Sequence, residues 1–591
     1  MTKPERAPAR GQTHRSVPES GPVKRLFLGE IAEESIFPFP SFAPAEAETL
    51  RMVIDSVDRF MADKNETVAE ADVHGRQTPE YVAALKELGL FSLIVPEEHG
   101  GLGLSNAGYS RVLQQTSRYD ASTSLTIGAH SSIGMKGLLL FGSPEQKAKY
   151  LPRLATGEWI AAFCLTEPGS GSDAASIKTT ATKNSDGSWS LSGDKIWITN
   201  GPIADFFTVF AKTDSPGGKM SAFIVERSWA GVSTGKKEEK MGIRASATST
   251  VAFENVTIPA DCLLGEEGAG FKLAMAILNN GRTGLGGGCV GAMKRCIALA
   301  TKHAVERKQF GRPIAEFDLI REKITRMTVN CFVTESVVSL VAHYIDSGYE
   351  DYSIEAAISK VFASEALWET ANDALQVAGG NGFMREYPYE RIVRDSRINL
   401  IFEGTNEILR LFIALSGMKD AGEYLKEIGR SAGAIFNDPI KGFGVLSKYA
   451  TKKVAQLTPL GHERMRSVHP LLAEPAAIVE QYTVALSHAV EGILREHGKK
   501  IIGQQLISKR VANIAIDLFA LLAVISRVSA LLERGEAAKL TNEVRIVNIF
   551  SHDAKRRMNQ NLRRLERNED GDTRALADTI VEQGGYPWDV L

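Results

Sequence analysis

The stretch Arg394-Asp-Ser-Arg-Ile-Asn-Leu-Ile-Phe-Glu-Gly-Thr-Asn-Glu-Ile-Leu409 decides the fold, because the other patterns in the chain gain their meaning from it. It combines a charged turn, a short apolar run from Leu400 to Phe402, the carboxylate of Glu403 and a Gly-Thr turn that leads into a helical pattern. A carboxylate in this setting is expected to be partly desolvated, which raises its pKa and makes it a usable base near neutral pH. The alternative is a solvated loop glutamate, with Thr405 or Asn406 capping the next helix.

Length and composition exclude several classes of protein. A chain of 591 residues, 43% hydrophobic and 24% charged, is typical of a globular protein with two to four domains. The formal net charge of −2 gives no overall field that would attract nucleic acid. The five cysteines form no CxxC pair and have no metal-ligand spacing, so the sequence predicts a reducing compartment and no metal site. They are Cys164, Cys262, Cys289, Cys296 and Cys331.

The sequence shows no membrane-spanning segment and no secretory signal. No apolar segment reaches the roughly 18 to 20 residues that a membrane span needs. The nearest, Ile514 to Leu532, contains Asp517 and Arg527 and is predicted to be a buried helix. The first 25 residues are rich in Pro, Arg and Ser and have no apolar core, so they are not a secretory signal. Residues 1–40 are predicted to form a disordered or extended tail.

The hydrophobic period divides the rest of the chain into four segments. Helical spacing over 41–160 predicts an N-terminal α-domain, and short β-rich runs over 161–275 predict a middle β-domain. Helical spacing returns over 276–425 and continues in an additional block over 426–591. The sequence therefore predicts an α+β protein with the domain order α, β, α and a further α-helical domain.

The additional block begins with a basic segment, 439–470. Its lysines and arginines outnumber its acids and are interleaved with apolar residues. Such a segment can lie on an anionic membrane surface. It can equally be a mobile, solvated linker, and the sequence leaves both interpretations open.

Two stretches of the β-domain have the pattern of a ligand site. Phe163-Cys-Leu-Thr-Glu-Pro-Gly-Ser-Gly-Ser-Asp173 matches neither the GxGxxG nor the Walker pattern, but its glycines allow close backbone approach to a flat ligand. In Lys195-Ile-Trp-Ile-Thr-Asn200 the alternation of a strand puts Trp197 and Thr199 on one face. The alternative is that Trp197 is an ordinary core residue.

Six stretches in the same order resemble the acyl-CoA dehydrogenase family. They are Phe163–Asp173, Lys195–Asn200, Asn279–Arg282, Arg307–Gly311, Gln376–Gly380 and Ile401–Glu407. The resemblance covers about 30 to 425 and implies the family fold: an N-terminal α-domain, a middle β-barrel-like domain and a C-terminal four-helix bundle. Lys499 to Leu532 looks like the additional C-terminal domain of very-long-chain acyl-CoA dehydrogenase and of acyl-CoA dehydrogenase family member nine.

The resemblance also implies a cofactor, FAD, and a set of site residues. Glu403 would be the catalytic base. The flavin contacts of the same subunit would be Phe163, Leu165, Thr166, Gly171, Ser172, Trp197, Ile198, Thr199, Thr405 and Glu407, and those from a neighbouring subunit Arg307, Phe310, Gln376, Gly379 and Gly380. The substrate contacts would be Ser172, Asn279, Arg282 and Gly404. Arg282 is predicted to lie at the start of a helix, against the preference of the helix dipole, so it is expected to serve a ligand or an ion pair. Phe317-Asp318 departs from the medium-chain pattern, in which a Gln contacts FAD, so that contact is not carried over.

The implied reaction is the α,β-dehydrogenation of a fatty acyl-CoA, with electrons passing to electron-transfer flavoprotein. Small side chains from Gly128 to Gly134, where the acyl pocket of the family ends, favour a long or very long chain. Extra-domain members are typically homodimers. The expected location is the cytoplasm of a bacterium, with peripheral contact at the inner membrane if 439–470 lies on a membrane surface, or the mitochondrion of a eukaryote. The competing hypotheses are an assembly or scaffold protein of this fold and an acyl-CoA oxidase.

Overall fold

The structure, a computed structural model, describes residues 20–214, 217–434, 464–535 and 537–590. Residues 20–159 form helices joined by loops. Ser143 caps the last of these helices in a capping box with Gln146, as the Ser-Pro-Glu-Gln sequence predicts. The helices are α1 Val23–Leu26, α2 Glu33–Ile36, α3 Pro44–Ala62, α4 Asn65–His74, α5 Pro79–Glu87, α6 Asn106–Ser117, α7 Ala121–Gly128, α8 Lys136–Phe141 and α9 Pro144–Ala155.

The middle of the chain forms one mixed eight-stranded sheet. Its order is β6-β7-β3-β2-β4-β5-β8, and β1 pairs with β4 in parallel. Alternating burial along β3 and β7 places Trp189, Leu191 and Val256 in the core of this domain. The strands are β1 Ala161–Cys164, β2 Thr180–Lys183, β3 Trp189–Thr199, β4 Phe206–Thr213, β5 Met220–Glu226, β6 Val232–Thr234, β7 Thr248–Ile258 and β8 Leu263–Leu264.

A bundle of four long helices follows, and its glycines let the helices approach closely. A Cβ on Gly286 would clash with Val338 and crowd Ser359 on the neighbouring helices. The short hairpin of β9 Lys308–Gln309 and β10 Arg312–Pro313 joins the first two long helices. The helices are α10 Gly270–Glu306, α11 Asp318–Asp346, α12 Ser353–Ala378, α13 Gly380–Phe383, α14 Tyr389–Arg397 and α15 Asn406–Ala434.

The additional domain is helical and shares one hydrophobic core with the bundle. Its helices are α16 Ala473–His497, α17 Gln505–Arg534, α18 Thr541–Glu566 and α19 Asp570–Gln583. Helices α11 and α17 are long and apolar enough to cross a membrane, but 61% and 89% of their apolar windows are buried inside the fold. The prediction of a buried helix around Ile514 to Leu532 is therefore confirmed.

Three sequence expectations differ from the structure or fall outside it. The tail predicted for 1–40 is wrong for 20–36, because Val23, Leu26 and Ile36 are buried in the core shared by the bundle and the additional domain. Helix α10 begins at Gly270, so Arg282 lies inside a helix and not at a helix start. The basic segment 439–470 lies outside the described residues except for 464–470.

Candidate active site

A cavity of about 560 Å³ lies where the N-terminal helices, the β-domain and the bundle meet. Its walls are formed by α6 and α7, the loop after β1, the end of β3, α10, and the turn before α15. It brings together the predicted residues Phe163, Leu165, Thr166, Gly171, Ser172, Trp197, Ile198, Thr199, Asn279, Arg282, Glu403 and Gly404. Residues up to 241 positions apart in sequence, Phe163 and Gly404, therefore share one site.

Glu403 sits in a strained turn between α14 and α15. Its φ is 55° and that of Gly404 is 94°, both in the left-handed region that a glutamate rarely adopts. Thr405 Oγ1 accepts a hydrogen bond of 3.3 Å from Ile408 N, so Thr405 caps the first turn of α15. The capping expected in the alternative interpretation is therefore present, but it holds Glu403 at the cavity wall and not in solvent.

The carboxylate of Glu403 is desolvated, as its sequence context predicts. Its Oε2 atom is buried and has no hydrogen-bond partner among the described residues. Burial raises the pKa of Glu403, and the nearby charges of Arg282 and Lys360 oppose that rise. A buried carboxylate with a free oxygen and two cations nearby is suited to accept a proton from a ligand.

Two buried cations hold the backbone of this turn from two helices of the bundle. Arg282 Nη2 on α10 donates to Glu403 O at 3.2 Å, while its Nη1 donates to Asn279 Oδ1 at 2.6 Å. Lys360 Nζ on α12 donates to Gly404 O and to Asn406 Oδ1, both at 2.8 Å. The strained turn is thus fixed by charge-assisted hydrogen bonds on two successive carbonyls.

Sequence reasoning missed Lys360, although a signal was present. It lies in the run Ile354 to Val361, in which five of the eight residues are apolar and are not confined to one face of the helix. A lysine in such a run must find buried acceptors, since an unpaired buried charge is costly. Arg282 was expected to serve a ligand or an ion pair. Its Nη1 and Nη2 atoms donate to neutral oxygens of the protein, so no ion pair forms among the described residues, and the ligand contact stays a prediction.

The loop after β1 forms another wall of the cavity and is held by a buried ion pair. Lys195 Nζ donates to Glu167 Oε1 at 2.7 Å and to the carbonyls of Leu165 and Phe210. Glu167 also accepts from the Thr179 N–H at 3.0 Å. The loop that the sequence predicts to approach a flat ligand is therefore rigid at its base.

The exposed surface of this wall suits a flat aromatic ligand. Trp197 has a φ of 56° at a β-bulge in strand β3, and its indole is 65% exposed although it lines the cavity. The alternative of a core tryptophan is therefore wrong. A Cβ on Gly171 would meet no atom within 4 Å, which leaves open space at the loop. The exposed indole, the open glycine and the unpaired Nε of Arg282 fit an isoalloxazine ring with a polar edge.

Seven predicted flavin contacts do not line the cavity: Arg307, Phe310, Gln376, Gly379, Gly380, Thr405 and Glu407. Phe310 is 94% exposed on the β9–β10 hairpin, and Gln376 and Gly379 are exposed at the end of α12. Five of the seven were predicted to contact the flavin of a neighbouring subunit, so their roles stay predictions. Glu407 is exposed on the first turn of α15.

The domains of this chain match those of known proteins in the same order. The chain matches the acyl-CoA dehydrogenase N-terminal domain over 47–158, the middle domain over 162–256 and the C-terminal domain over 268–418. The very long-chain specific acyl-CoA dehydrogenase of Rattus norvegicus mitochondria is 42% identical over 95% of this chain and 87% of its own length. The chain belongs to the acyl-CoA dehydrogenase family.

Its additional domain also has known counterparts. Residues 470–586 match the ACAD9/ACADV C-terminal domain, and the very long-chain specific enzyme of Homo sapiens is 44% identical over 86% of this chain and 79% of its own. The crystal structure of an acyl-CoA dehydrogenase complexed with FAD from Bacillus anthracis superposes with a TM-score of 0.79 and 33% identity, over 93% of this chain and 94% of that chain. This acyl-CoA dehydrogenase is an FAD-dependent oxidoreductase of fatty acid β-oxidation.

Proposed function

We propose that this acyl-CoA dehydrogenase oxidises long-chain or very-long-chain acyl-CoA thioesters to trans-2-enoyl-CoA, with Glu403 as the base. The observation that carries the proposal is the buried, unpaired Oε2 of Glu403 in the cavity that Trp197 and Gly171 also line. The very-long-chain specificity of mitochondrial relatives at 42% and 44% identity supports the substrate class.

Glu403 would remove the pro-R α-proton of the acyl chain. That proton is weakly acidic until the thioester carbonyl is polarised, and we assign this task to the backbone N–H of Glu403 as an oxyanion-hole donor. The hydrogen bonds of Arg282 and Lys360 fix that backbone, so the carboxylate and the N–H keep one relative position. When bound, FAD supplies the acceptor for the β-hydride.

The remaining flavin and substrate contacts are proposed on the same basis. Phe163, Leu165, Thr166, Ser172, Trp197, Ile198 and Thr199 would contact the flavin ring, and Ser172, Asn279, Arg282 and Gly404 the thioester arm. Gly128, Ala129 and Ser132 line the cavity beside a π-helical turn over Ala129–Gly134. Their small side chains leave room for a long acyl tail, which supports the chain-length assignment.

The partners and the location of the enzyme are further parts of the proposal. The exposed hairpin with Phe310 and the exposed end of α12 are suited to complete the flavin site of a second subunit in a homodimer. Electron-transfer flavoprotein would accept the electrons. We propose a cytoplasmic location in a bacterium and a mitochondrial one in a eukaryote.

The test is the isosteric variant Glu403→Gln. We expect purified Glu403→Gln to retain FAD and its yellow colour but not to be bleached by palmitoyl-CoA under anaerobic conditions. Bleaching of the variant at the wild-type rate would exclude Glu403 as the base. Peroxide formation by the wild-type enzyme in air would identify an oxidase, and a colourless chain that takes up no FAD would contradict the whole assignment.

A further inference from the structure

The cavity does not end near Glu403 but continues along one face of α10. A Cβ on Gly281 would lie 3.6 Å from Glu403 Oε1, so this point of the helix marks the reacting end. The lining residues of α10 continue through Gly288 and Ala292 to Arg295. At the helical rise of about 1.5 Å per residue, Arg295 lies about 21 Å further along the axis, which is the length of an extended long-chain acyl group.

Small side chains leave the middle of this channel open. The wall that faces α10 is lined by Ser117, Ser124 and Gly128 of α6 and α7. The nearest atoms to a Cβ on Gly288 would be Ser117 Oγ at 3.7 Å and Ser124 Oγ at 3.8 Å, so small side chains face this point of α10. An acyl chain that starts at Glu403 can therefore extend toward the far end of the cavity.

Three arginines line that far end, and each comes from a different element. Arg118 follows α6, Arg295 is on α10 and Arg391 is on α14. Burial is the main cause of the lowered pKa of Arg295, and the like charges of Arg118 and Arg391 lower it further. The three guanidinium groups are therefore close enough to interact electrostatically. Within the described ranges 20–214, 217–434, 464–535 and 537–590, none of the three forms an ion pair.

The carboxylates around these arginines are engaged elsewhere. Asp58 accepts hydrogen bonds from Gln115 and Tyr119, and Asp120 accepts from Thr123 at the start of α7. Asp395, which interacts electrostatically with Arg391, is buried and accepts a hydrogen bond from the Ile243 N–H. Asp120 and Asp395 line the same cavity as the three arginines, but among the described residues neither forms an ion pair with them. Burial raises the pKa of Asp395 to about 7, so three guanidinium groups face at most two carboxylate charges and the far end keeps an excess of positive charge.

We propose that this arginine cluster, Arg118, Arg295 and Arg391, binds a carboxylate at the ω-end of the acyl chain, so that monothioesters of long-chain dicarboxylic acids are substrates. A methyl end would be best received by apolar side chains, whereas guanidinium groups bind a carboxylate through two parallel hydrogen bonds. The inference rests on the proposed acyl-CoA dehydrogenation and adds a second recognition point about 21 Å from the base.

The experiment compares palmitoyl-CoA with hexadecanedioyl-CoA, which has the same number of carbons and an ω-carboxylate. FAD-loaded wild type, Arg295→Gln, Arg118→Gln and the control Lys302→Gln are assayed by anaerobic flavin bleaching. Lys302 is exposed on the same helix and does not line the cavity, so its variant loses the same charge without touching the channel.

We expect the wild type to use both substrates, and Arg295→Gln to lower kcat/KM for hexadecanedioyl-CoA by about tenfold while that for palmitoyl-CoA is unchanged. Arg118→Gln should act in the same direction with a smaller effect, because Arg118 is exposed. The chain of decanedioyl-CoA is too short to reach the cluster, so kcat/KM for this substrate should be the same in both variants as in the wild type.

Two results would overturn the inference. One is a wild type that bleaches with palmitoyl-CoA but not with hexadecanedioyl-CoA. The other is an Arg295→Gln variant whose ratio of kcat/KM for hexadecanedioyl-CoA to kcat/KM for palmitoyl-CoA equals the same ratio in Lys302→Gln. Failure of palmitoyl-CoA itself to bleach the wild type would instead contradict the proposed function, so the two failures are distinguishable.

Discussion

Two buried lysines hold two walls of the active site, and they differ in how their charge is balanced. Lys195 holds the flavin-side loop and forms an ion pair of 2.7 Å with Glu167. Lys360 holds the catalytic turn through the neutral oxygens of Gly404 and Asn406. Both side chains are fully buried.

The difference assigns different tasks to the two residues. The charge of Lys195 is neutralised within its own domain, so its contribution is to the rigidity of the loop. In the part of the chain that the structure describes, Lys360 forms no ion pair, and Glu403 is the carboxylate that acts on it most strongly. We therefore expect Lys195 to govern folding and FAD retention, and Lys360 to govern the reactivity of Glu403.

The largest effect is expected for Lys195→Met. It leaves the carboxylate of Glu167 buried without its cation, which should lower the free energy of unfolding by about 3–5 kcal/mol. Urea unfolding of the FAD-loaded enzyme measures the loss. The double variant Lys195→Met, Glu167→Leu removes both charges and should regain most of the stability, and a double variant as unstable as the single one would refute the pairing argument.

A smaller effect, on rate and not on stability, is expected for Lys360→Met. The catalytic turn loses one charge-assisted hydrogen bond and Glu403 loses a nearby cation, so bleaching by palmitoyl-CoA should slow by about a hundredfold. FAD content should stay at the wild-type level. Lys360→Arg keeps the charge and should recover part of the rate; a bleaching rate in Lys360→Met equal to wild type would remove Lys360 from the mechanism.

The pH profile separates the charge of Lys360 from its hydrogen bonds. Glu403 must be deprotonated to act, so kcat/KM falls as the pH drops through its raised pKa. Removal of the Lys360 cation disfavours the carboxylate, and the acid limb of Lys360→Met should move to higher pH. Burial lowers the pKa of Lys360 to about 8, so the wild type should lose activity above that pH while Lys360→Arg does not. Coincident profiles of all three enzymes would show that the charge is irrelevant.

The sequence predicts the catalytic glutamate better than the residues that hold the walls of the active site. The apolar run before Glu403 indicates desolvation, and the structure confirms a buried carboxylate oxygen. The alternation of β3 from Trp189 and Leu191 puts Lys195 on the buried face, so strand parity could have revealed it. The exposed side of Trp197 depends on a bulge, and its positive φ has no signal in a strand pattern.

Long-range packing explains what sequence reasoning could not reach. The segment from Val23 to Ile36 is too short to fold alone, and its burial depends on packing against the bundle and the additional domain. The convergence of Arg118, Arg295 and Arg391 likewise depends on how three separate elements pack. Local pattern carries no information on either point.

The smallest effect is expected from the contact between the additional domain and the catalytic turn. A chain of hydrogen bonds runs from Lys360 through Asn406 to Glu365, which Arg410 binds with two bonds of 2.7 Å. Arg410 Nε then donates at 2.8 Å to Asn513 on α17 of the additional domain.

Asn513→Ala removes the last link of this chain and should slow bleaching by about two- to fivefold, the effect of one partly buried hydrogen bond. The matched control is Arg527→Met, which loosens α17 from Glu335 on α11 without touching the chain to Glu403. If both variants slow the reaction equally, the domain acts only through general stability. If Asn513→Ala alone slows the reaction, the additional domain supports the catalytic wall that Lys360 holds. The wall that Lys195 holds has no such link to the additional helices in this hydrogen-bond chain.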